Sequence, residues 1–269
     1  MNIIGQDKLI SKIDSYNNII DFPNPILLCG KEGSGKHTIC NYISSKFNIE
    51  LCDISSFLTH ENIIDLYTHP TLQLLIIDIN KVGSSRQLIP IQNSILKFIE
   101  EPPSNKLVVI LVEDSGKLLN TIVNRCQIWK LQEYTIDQLK LFCEKPIDEN
   151  KFNIFNTPGL IKKYFDNEIN EAEIDSLISN IIDNISRASI PNILTISDKF
   201  TTNNSTGLDI NIFISKLYFE LSNRYIRCED EKYFKALNKL KDTKSNLLIL
   251  NVNKKSLLDE LFISLKYIL

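Results

Sequence analysis

Apolar residues in the first half of the chain form short, nearly continuous runs. These runs lie at 26–29, 49–54, 72–78, 107–112 and 128–131. A run such as 72–78, in which nearly every residue is apolar, is typical of a parallel strand covered on both sides. Apolar residues recur at helical spacing in the segments 7–16, 38–47 and 92–101, which lie before or between these runs. The pattern therefore predicts an α/β fold in which helices flank a parallel sheet.

Beyond Leu131 no further apolar strand ends in an acid, and helical spacing continues to the end of the chain. Helices are predicted at 134–143, from about 158, within 171–199, at 210–228 and at 251–262. Thr135 is the expected N-cap of the first of these. The polar stretch 201–206 separates two helical blocks. One side of the last helix consists of Leu257, Leu258, Leu261 and Leu265. The second part of the chain is thus predicted to be all-helical.

A glycine-rich segment, Pro25 to Thr38, joins the first predicted strand to the next helix. Its glycines allow successive N–H groups to face a phosphate, Lys36 can reach the outer phosphates, and the helix adds its positive end. The alternative is a glycine-rich turn without a ligand. The candidate nucleotide-binding residues here are Gly30, Gly33, Ser34, Gly35, Lys36 and Thr38.

The predicted strand 72–78 ends in Asp78, which we add to this candidate site. In phosphate-binding-loop proteins an acid at this place holds Mg²⁺ through water. The alternative is an acid that caps a turn. The residue after the loop lysine is normally Ser or Thr, whose hydroxyl holds the metal, but here it is His37. Imidazole is a poor ligand for a hard cation, so no bound metal is expected.

Three further motifs occur in a specific order. The chain begins Ile3-Ile4-Gly5-Gln6, a helix reads Asn93-Ser-Ile-Leu-Lys-Phe-Ile-Glu-Glu-Pro-Pro103, and Asn124-Arg125-Cys126 follows. Together with the loop, this order resembles the clamp-loader branch of the AAA+ ATPases through Leu131. The resemblance implies an AAA+ sheet domain, and it implies that Arg125 is an arginine finger acting in trans on a neighbour's nucleotide. Asn124 departs from the usual Ser before the finger.

Compared with the AAA+ motor subunits that it resembles, the chain lacks several residues that an active ATP site uses. Ile79 replaces the acid that would activate water, the sensor position falls at Val112 or Glu113, and the lid arginine position falls at Gly159. Each such loss costs orders of magnitude in phosphoryl-transfer rate. The chain is therefore similar to the non-hydrolysing delta-prime kind of bacterial DNA polymerase III clamp-loader subunit. The alternative is an active gamma/tau-like ATPase subunit, and a P-loop kinase is a third class.

The resemblance also implies a division of the chain and a set of partners. The expected parts are an AAA+ P-loop domain at 1–132, a helical lid at 133–169 and a helical collar at 170–269. Expected partners are gamma/tau-like ATPase and delta-like subunits, the sliding clamp and, through the complex, primer-template DNA. No cofactor is required, although the loop leaves weak ATP or ADP binding open.

Composition agrees with a protein that does not coat nucleic acid. Lys and Arg number 30 against 33 Asp and Glu, for a formal charge of -3. The six cysteines contain no C-x-x-C pair, which predicts buried thiols in a reducing compartment and no zinc module. No apolar run nears the length of a membrane span, so a soluble cytoplasmic protein is expected.

Overall fold

The computed structural model describes residues 3–57, 70–81, 85–201, 208–247 and 252–269. Its sheet has five parallel strands in the order β2-β3-β4-β1-β5. The strands are β1 Ile26–Cys29, β2 Glu50–Asp53, β3 Gln73–Asp78, β4 Lys106–Val112 and β5 Gln127–Lys130. Every residue of β1, β3 and β4 is buried, as a parallel sheet covered on both faces requires. The predicted α/β fold with a parallel sheet is confirmed.

Alternate residues of each central strand face opposite sides of the sheet. In β4, Val108 and Ile110 belong to one apolar core, and Leu107 and Val109 belong to the other. This alternation follows from the two-residue period of a strand. The α-helices among the described residues of this part are α1 Asp7–Asp14, α2 Lys36–Phe47, α3 Ser85–Glu100, α4 Asn120–Val123 and α5 Ile136–Lys140.

The predicted strands and helices of this part lie within a few residues of those observed, with one larger difference. Helix α3 begins at Ser85, seven residues before the predicted start, and continues through Pro90. Proline usually marks the first turn of a helix, because its missing N–H costs nothing there. The predicted N-cap is confirmed: Thr135 Oγ1 accepts from Gln138 N at 3.3 Å, and Gln138 Oε1 accepts from Thr135 N at 3.0 Å.

The remaining helices are α6 Pro158–Phe165, α7 Glu171–Asn184, α8 Ile190–Thr201, α9 Ile210–Cys228, α10 Glu231–Asn246 and α11 Lys254–Ile268. Asn or Asp side chains cap four of them by accepting from backbone N–H groups near the start of the helix. The side of α11 that was predicted to be apolar is buried against the helices of this chain. Residues 202–206 of the predicted polar stretch, and position 251, lie outside the described residues.

The chain divides into two compact units. The first contains residues 1–139 and 157–159, and the second contains 140–156 and 160–269. The division at 132 and 169 stays a prediction. None of the helices in the described ranges is long and apolar enough to cross a membrane.

An ion-pair network stabilises the second unit. Glu171, in the first turn of α7, accepts from Lys216 Nζ at 2.6 Å and from Lys151 Nζ at 2.9 Å. Lys216 is 7% exposed and also pairs with Asp175 at 2.8 Å. Burial alone would raise the pKa of Glu171, but the two lysines hold it below its usual value. The network ties residue 151 to helices α7 and α9.

The prediction that the cysteines are buried thiols is wrong for most of them. All six are free thiols, but only Cys29 and Cys40 are buried, whereas Cys228, the last residue of α9, is exposed. Burial raises the pKa of Cys40 to about 12. That thiol is therefore a small apolar core group.

Candidate functional site

The glycine-rich loop lies between β1 and α2, as predicted. Gly33 and Gly35 have φ angles of 70° and 93°, which favour glycine because a side chain is strained there. At Gly30 a Cβ would lie 2.7 Å from Ser34 Oγ, so a side chain here would displace the Ser34 hydroxyl. Ser34 Oγ is buried and has no hydrogen-bond partner among the described residues. Thr38 is half-buried in the first turn of α2.

Lys36 is turned back onto its own loop. Its Nζ donates to the carbonyl oxygens of Gly30 at 2.6 Å and Lys31 at 2.9 Å, and the residue is 6% exposed. Burial lowers the pKa of Lys36, while nearby carboxylates oppose that shift. A phosphate that recruited Lys36 would have to replace both of these carbonyl contacts.

The next three carbonyl groups of the loop also accept hydrogen bonds from the protein. Thr157 Oγ1 donates to Glu32 O at 2.8 Å, Gly159 N to Gly33 O at 2.9 Å, and Tyr134 Oη to Ser34 O at 2.9 Å. A Cβ on Gly159 would lie 2.5 Å from Gly33 Cα, so only glycine allows this approach. Protein donors therefore satisfy five successive carbonyls, from Gly30 to Ser34.

His37 and Asp78 meet beside the loop. His37 Nε2 lies 3.1 Å from Asp78 Oδ2, and the Asp78 side chain is 9% exposed. Burial raises the pKa of Asp78, but the bond to His37, the Asn80 N–H and the Lys36 charge together hold it below its ordinary value. Ser55 Oγ accepts from the Asp78 N–H at 2.7 Å and fixes the backbone. The imidazole thus occupies one oxygen of the carboxylate that was predicted to act at this site.

Three other positions compared with a motor carry two apolar side chains and one acid. Ile79 is 4% exposed and belongs to the apolar core, as does Val112. Glu113 pairs with Lys117, four residues further along. A carboxylate at position 79 would have to enter that core unpaired, which is costly.

Arg125 follows the four-residue helix α4 and is held by two contacts. Its Nη2 lies 2.9 Å from Glu100 Oε1, and its Nη1 donates to Thr121 O at 2.9 Å. Gln92, which is fully buried on α3, donates to Lys117 O and accepts from Leu119 N, so it anchors the segment that leads into α4. Neither of these two contacts joins Arg125 to Lys36 or Asp78.

Sequence reasoning did not find several of these contacts. Glu100 lies within the quoted Glu-Glu-Pro-Pro motif, and Thr157 lies in the turn that was assigned to a lid, but neither motif indicates its partner. No sequence motif indicated that Tyr134 contacts the loop. The Gln6 side chain of the first motif bonds to Gln132 through both its N–H and its oxygen, at 3.0 and 2.8 Å. That motif therefore secures the segment that leaves β5.

The parallel sheet, its flanking helices, the glycine-rich loop before α2 and the helical C-terminal part fit the AAA+ fold. A family model described as "DNA polymerase III, delta subunit" matches residues 86–135, which include α3, β4, Arg125 and β5. The gamma subunit of DNA polymerase III from Buchnera aphidicola is 27% identical, in an alignment covering 52% of this chain and 46% of that protein. The delta-prime subunit from Bacillus subtilis is 45% identical over 40 residues, which are 15% of this chain and 12% of that protein.

A solved structure of a DNA polymerase III gamma subunit-related protein from Thermotoga maritima is 15% identical, with a TM-score of 0.43. The structural alignment covers 98% of this chain and 99% of the Thermotoga chain. The alignments with the Buchnera and Bacillus proteins span less than half of either relative's length. The sequence matches support the clamp-loader branch of the AAA+ family, and they do not separate its delta-prime members from its gamma members.

Proposed function

We propose that this chain is a non-hydrolysing, delta-prime-like subunit of a DNA polymerase III clamp loader. The contact between His37 and Asp78 carries the proposal. A motor subunit uses a hydroxyl and an acid at these two places to hold Mg²⁺, which neutralises the charge that develops in phosphoryl transfer. Here an imidazole bonds the acid directly at 3.1 Å. The active-ATPase alternative is not favoured, because it would need this contact broken and an acid supplied in place of Ile79.

The proposed chemical contribution of the chain is Arg125, acting in trans. A guanidinium placed against the γ-phosphate of a neighbour's nucleotide would stabilise the transition state of hydrolysis. The proposed neighbours are gamma/tau-like and delta-like subunits in the cytoplasm, and the complex would load the sliding clamp on primer-template DNA. No zinc or other cofactor is part of this role. The loop of this chain would bind ATP or ADP weakly, because Lys36 must first leave its two carbonyl partners.

The test of the proposal has two parts. The purified chain, with and without primed DNA, should show no ATP hydrolysis above that of its Lys36→Ala variant. In a reconstituted loader with clamp and primed DNA, Arg125→Ala should lower the steady-state ATPase rate while leaving the complex assembled. Arg187→Ala, at the end of the 3-10 turn after α7, is the matched control. DNA-stimulated turnover by the isolated chain that requires Lys36 would instead establish a motor.

The helices within residues 170–269 are the proposed collar that joins this chain to its partners. Ile226 on α9 and Phe234 on α10 are 74% and 51% exposed, and the Phe234 ring lies 5.9 Å from that of Tyr225. Ile226→Glu with Phe234→Glu should weaken co-elution with the partner subunits in size-exclusion chromatography. Ile20→Glu, at a 91% exposed position of the first unit, should not. Full co-elution of the double variant would contradict the placement of the collar contact at these residues.

A further inference from the structure

The Arg125 guanidinium is fixed on two sides before any neighbour is present. Glu100 Oε1 holds Nη2 and Thr121 O holds Nη1, each at 2.9 Å. A guanidinium is planar and has five N–H donors, so two bonds at different nitrogens set the direction of the plane. These two contacts use two of the donors, and the side chain is 36% exposed. Donors therefore remain for an oxyanion that approaches from solvent.

Glu100 stands where a carboxylate is unfavourable for the helix itself. It is the last residue of α3, and the backbone carbonyls at a helix C-terminus repel negative charge. Its side chain is 55% exposed, and an ion pair between partners this exposed adds little to folding stability. Neither the helix nor the net stability of the fold accounts for a carboxylate here. The Glu100 carboxylate does contact Arg125 Nη2, and this contact orients the guanidinium.

Backbone and core contacts fix the segments that carry Arg125 and Glu100. Arg125 N donates to Ile122 O at 3.0 Å, and the side chain of Ile122 is fully buried in the sheet core. Gln92, on the helix that ends with Glu100, anchors the residues before α4. Both members of the pair therefore stand on elements that are packed against the same sheet, and only the arginine side chain needs to be held in one rotamer.

We propose that Glu100 is a positioning residue for Arg125, which keeps the guanidinium plane ready for a phosphate on the neighbouring subunit. The inference rests on the proposed function. An arginine that is already held loses less conformational freedom when it engages the phosphate, and holding a catalytic group in a reactive geometry is a large source of rate enhancement. Loss of the carboxylate should slow the hydrolysis step, and it should not change how tightly the neighbour binds ATP.

The experiment uses the full-length chain in a reconstituted loader with clamp and primed DNA, at matched assembly. The variants are Arg125→Ala, Glu100→Ala, Glu100→Gln and the Arg125→Ala/Glu100→Ala double variant, with Glu101→Ala at the adjacent exposed position as control. We expect Glu100→Ala to reduce the Arg125-dependent part of kcat about three- to tenfold, with KM for ATP unchanged. Glu100→Gln keeps an acceptor oxygen and should retain a larger share of the rate. In the double variant, Glu100→Ala should add nothing to the effect of Arg125→Ala.

The possible results separate the two proposals. If Arg125→Ala slows the complex but Glu100→Ala leaves it unchanged, the positioning role is wrong and the finger role stands. A faster Glu100→Ala complex also overturns positioning, since the carboxylate would then compete with the phosphate for Arg125. If Arg125→Ala has no effect, both proposals fall. Thermal unfolding of each variant chain checks that the fold is retained, and Glu100→Ala should unfold within a few degrees of the unchanged chain.

Discussion

The close approach of Gly159 to the glycine-rich loop makes Gly159→Ala the most informative single substitution. The added Cβ would lie 2.5 Å from Gly33 Cα and 3.2 Å from Gly33 O. Both are backbone atoms, so no flexible side chain can move aside. Carbon atoms in contact stand about 3.5–4.0 Å apart, so the loop and residue 159 must separate by roughly 1 Å. That movement would also stretch the hydrogen bond from Gly159 N to Gly33 O.

Opposing effects set the size of the change. Overpacking costs about 1–3 kcal/mol, and a lost hydrogen bond costs about 1 kcal/mol more. Alanine is better than glycine in a helix by about 1 kcal/mol, and Gly159 lies in the first turn of α6. The clash outweighs the gain in propensity. The free energy of unfolding of the first unit should therefore fall by about 1–3 kcal/mol.

Urea unfolding followed by tryptophan fluorescence measures this change. Trp129 is the single tryptophan of the chain, it lies on β5, and it is 3% exposed in the core of the first unit. Its signal therefore reports on that unit. Gly116→Ala is the matched control, because a Cβ there meets Asp114 Oδ1 at 3.1 Å and no backbone atom, so that a shift of a few tenths of an ångström relieves the contact. If Gly159→Ala is as stable as this control, the loop does not rely on the close approach.

Two further predictions concern ionised groups. Because the pKa of Asp78 is depressed in the fold, its contribution is complete above the unfolded value near 3.8 and is lost as pH falls through the lower folded value. Asp78→Asn should therefore flatten the acid limb of a plot of unfolding free energy against pH, and an unchanged limb would count against the His37 contact. Glu171→Gln leaves the buried Lys216 with one carboxylate fewer and should cost about 1–3 kcal/mol by urea unfolding followed by circular dichroism. Glu231→Gln, whose side chain is 85% exposed, should cost almost nothing, and equal losses in the two variants would contradict the network's role.

The elements that could be predicted from sequence are those with a strong local pattern. Strand β3 is apolar at nearly every position and ends in an acid, and the observed strand stops at Asp78. Helix α10 lies in the part predicted to be helical, but its bounds were not predicted, because its apolar positions are diluted by lysines. The first turns of α3 were missed, because proline is unusual inside a helix and Pro90 precedes the predicted start. For α3 and α10, the local sequence signal was weaker than the tertiary packing that decides the structure.

The candidate site likewise contains residues that a local sequence pattern indicates and contacts that no local pattern indicates. The loop glycines and Lys36 could be proposed because a phosphate-binding loop is a continuous pattern, and Asp78 could be proposed because it ends an apolar strand. The bonds from Tyr134 and Thr157 to the loop join residues at least 100 positions apart, so no local pattern contains them. The pairing of Arg125 with Glu100 likewise depends on how α3 and α4 pack against the sheet. Partners of this kind become visible only once the fold brings them together.

The closure of the loop by protein donors has a consequence for the proposed role. A subunit that acts on a neighbour's nucleotide must keep Arg125 in place whether or not its own loop holds a ligand. Lys36 bonds the start of the loop, and Tyr134, Thr157 and Gly159 bond the carbonyls that follow, so the loop is held without a phosphate. Strand β1, which leads into this loop, pairs with both β4 and β5. A fixed loop therefore supports the part of the sheet on which the segment carrying Arg125 is packed, and hydrolysis in the chain's own site becomes unnecessary for that support.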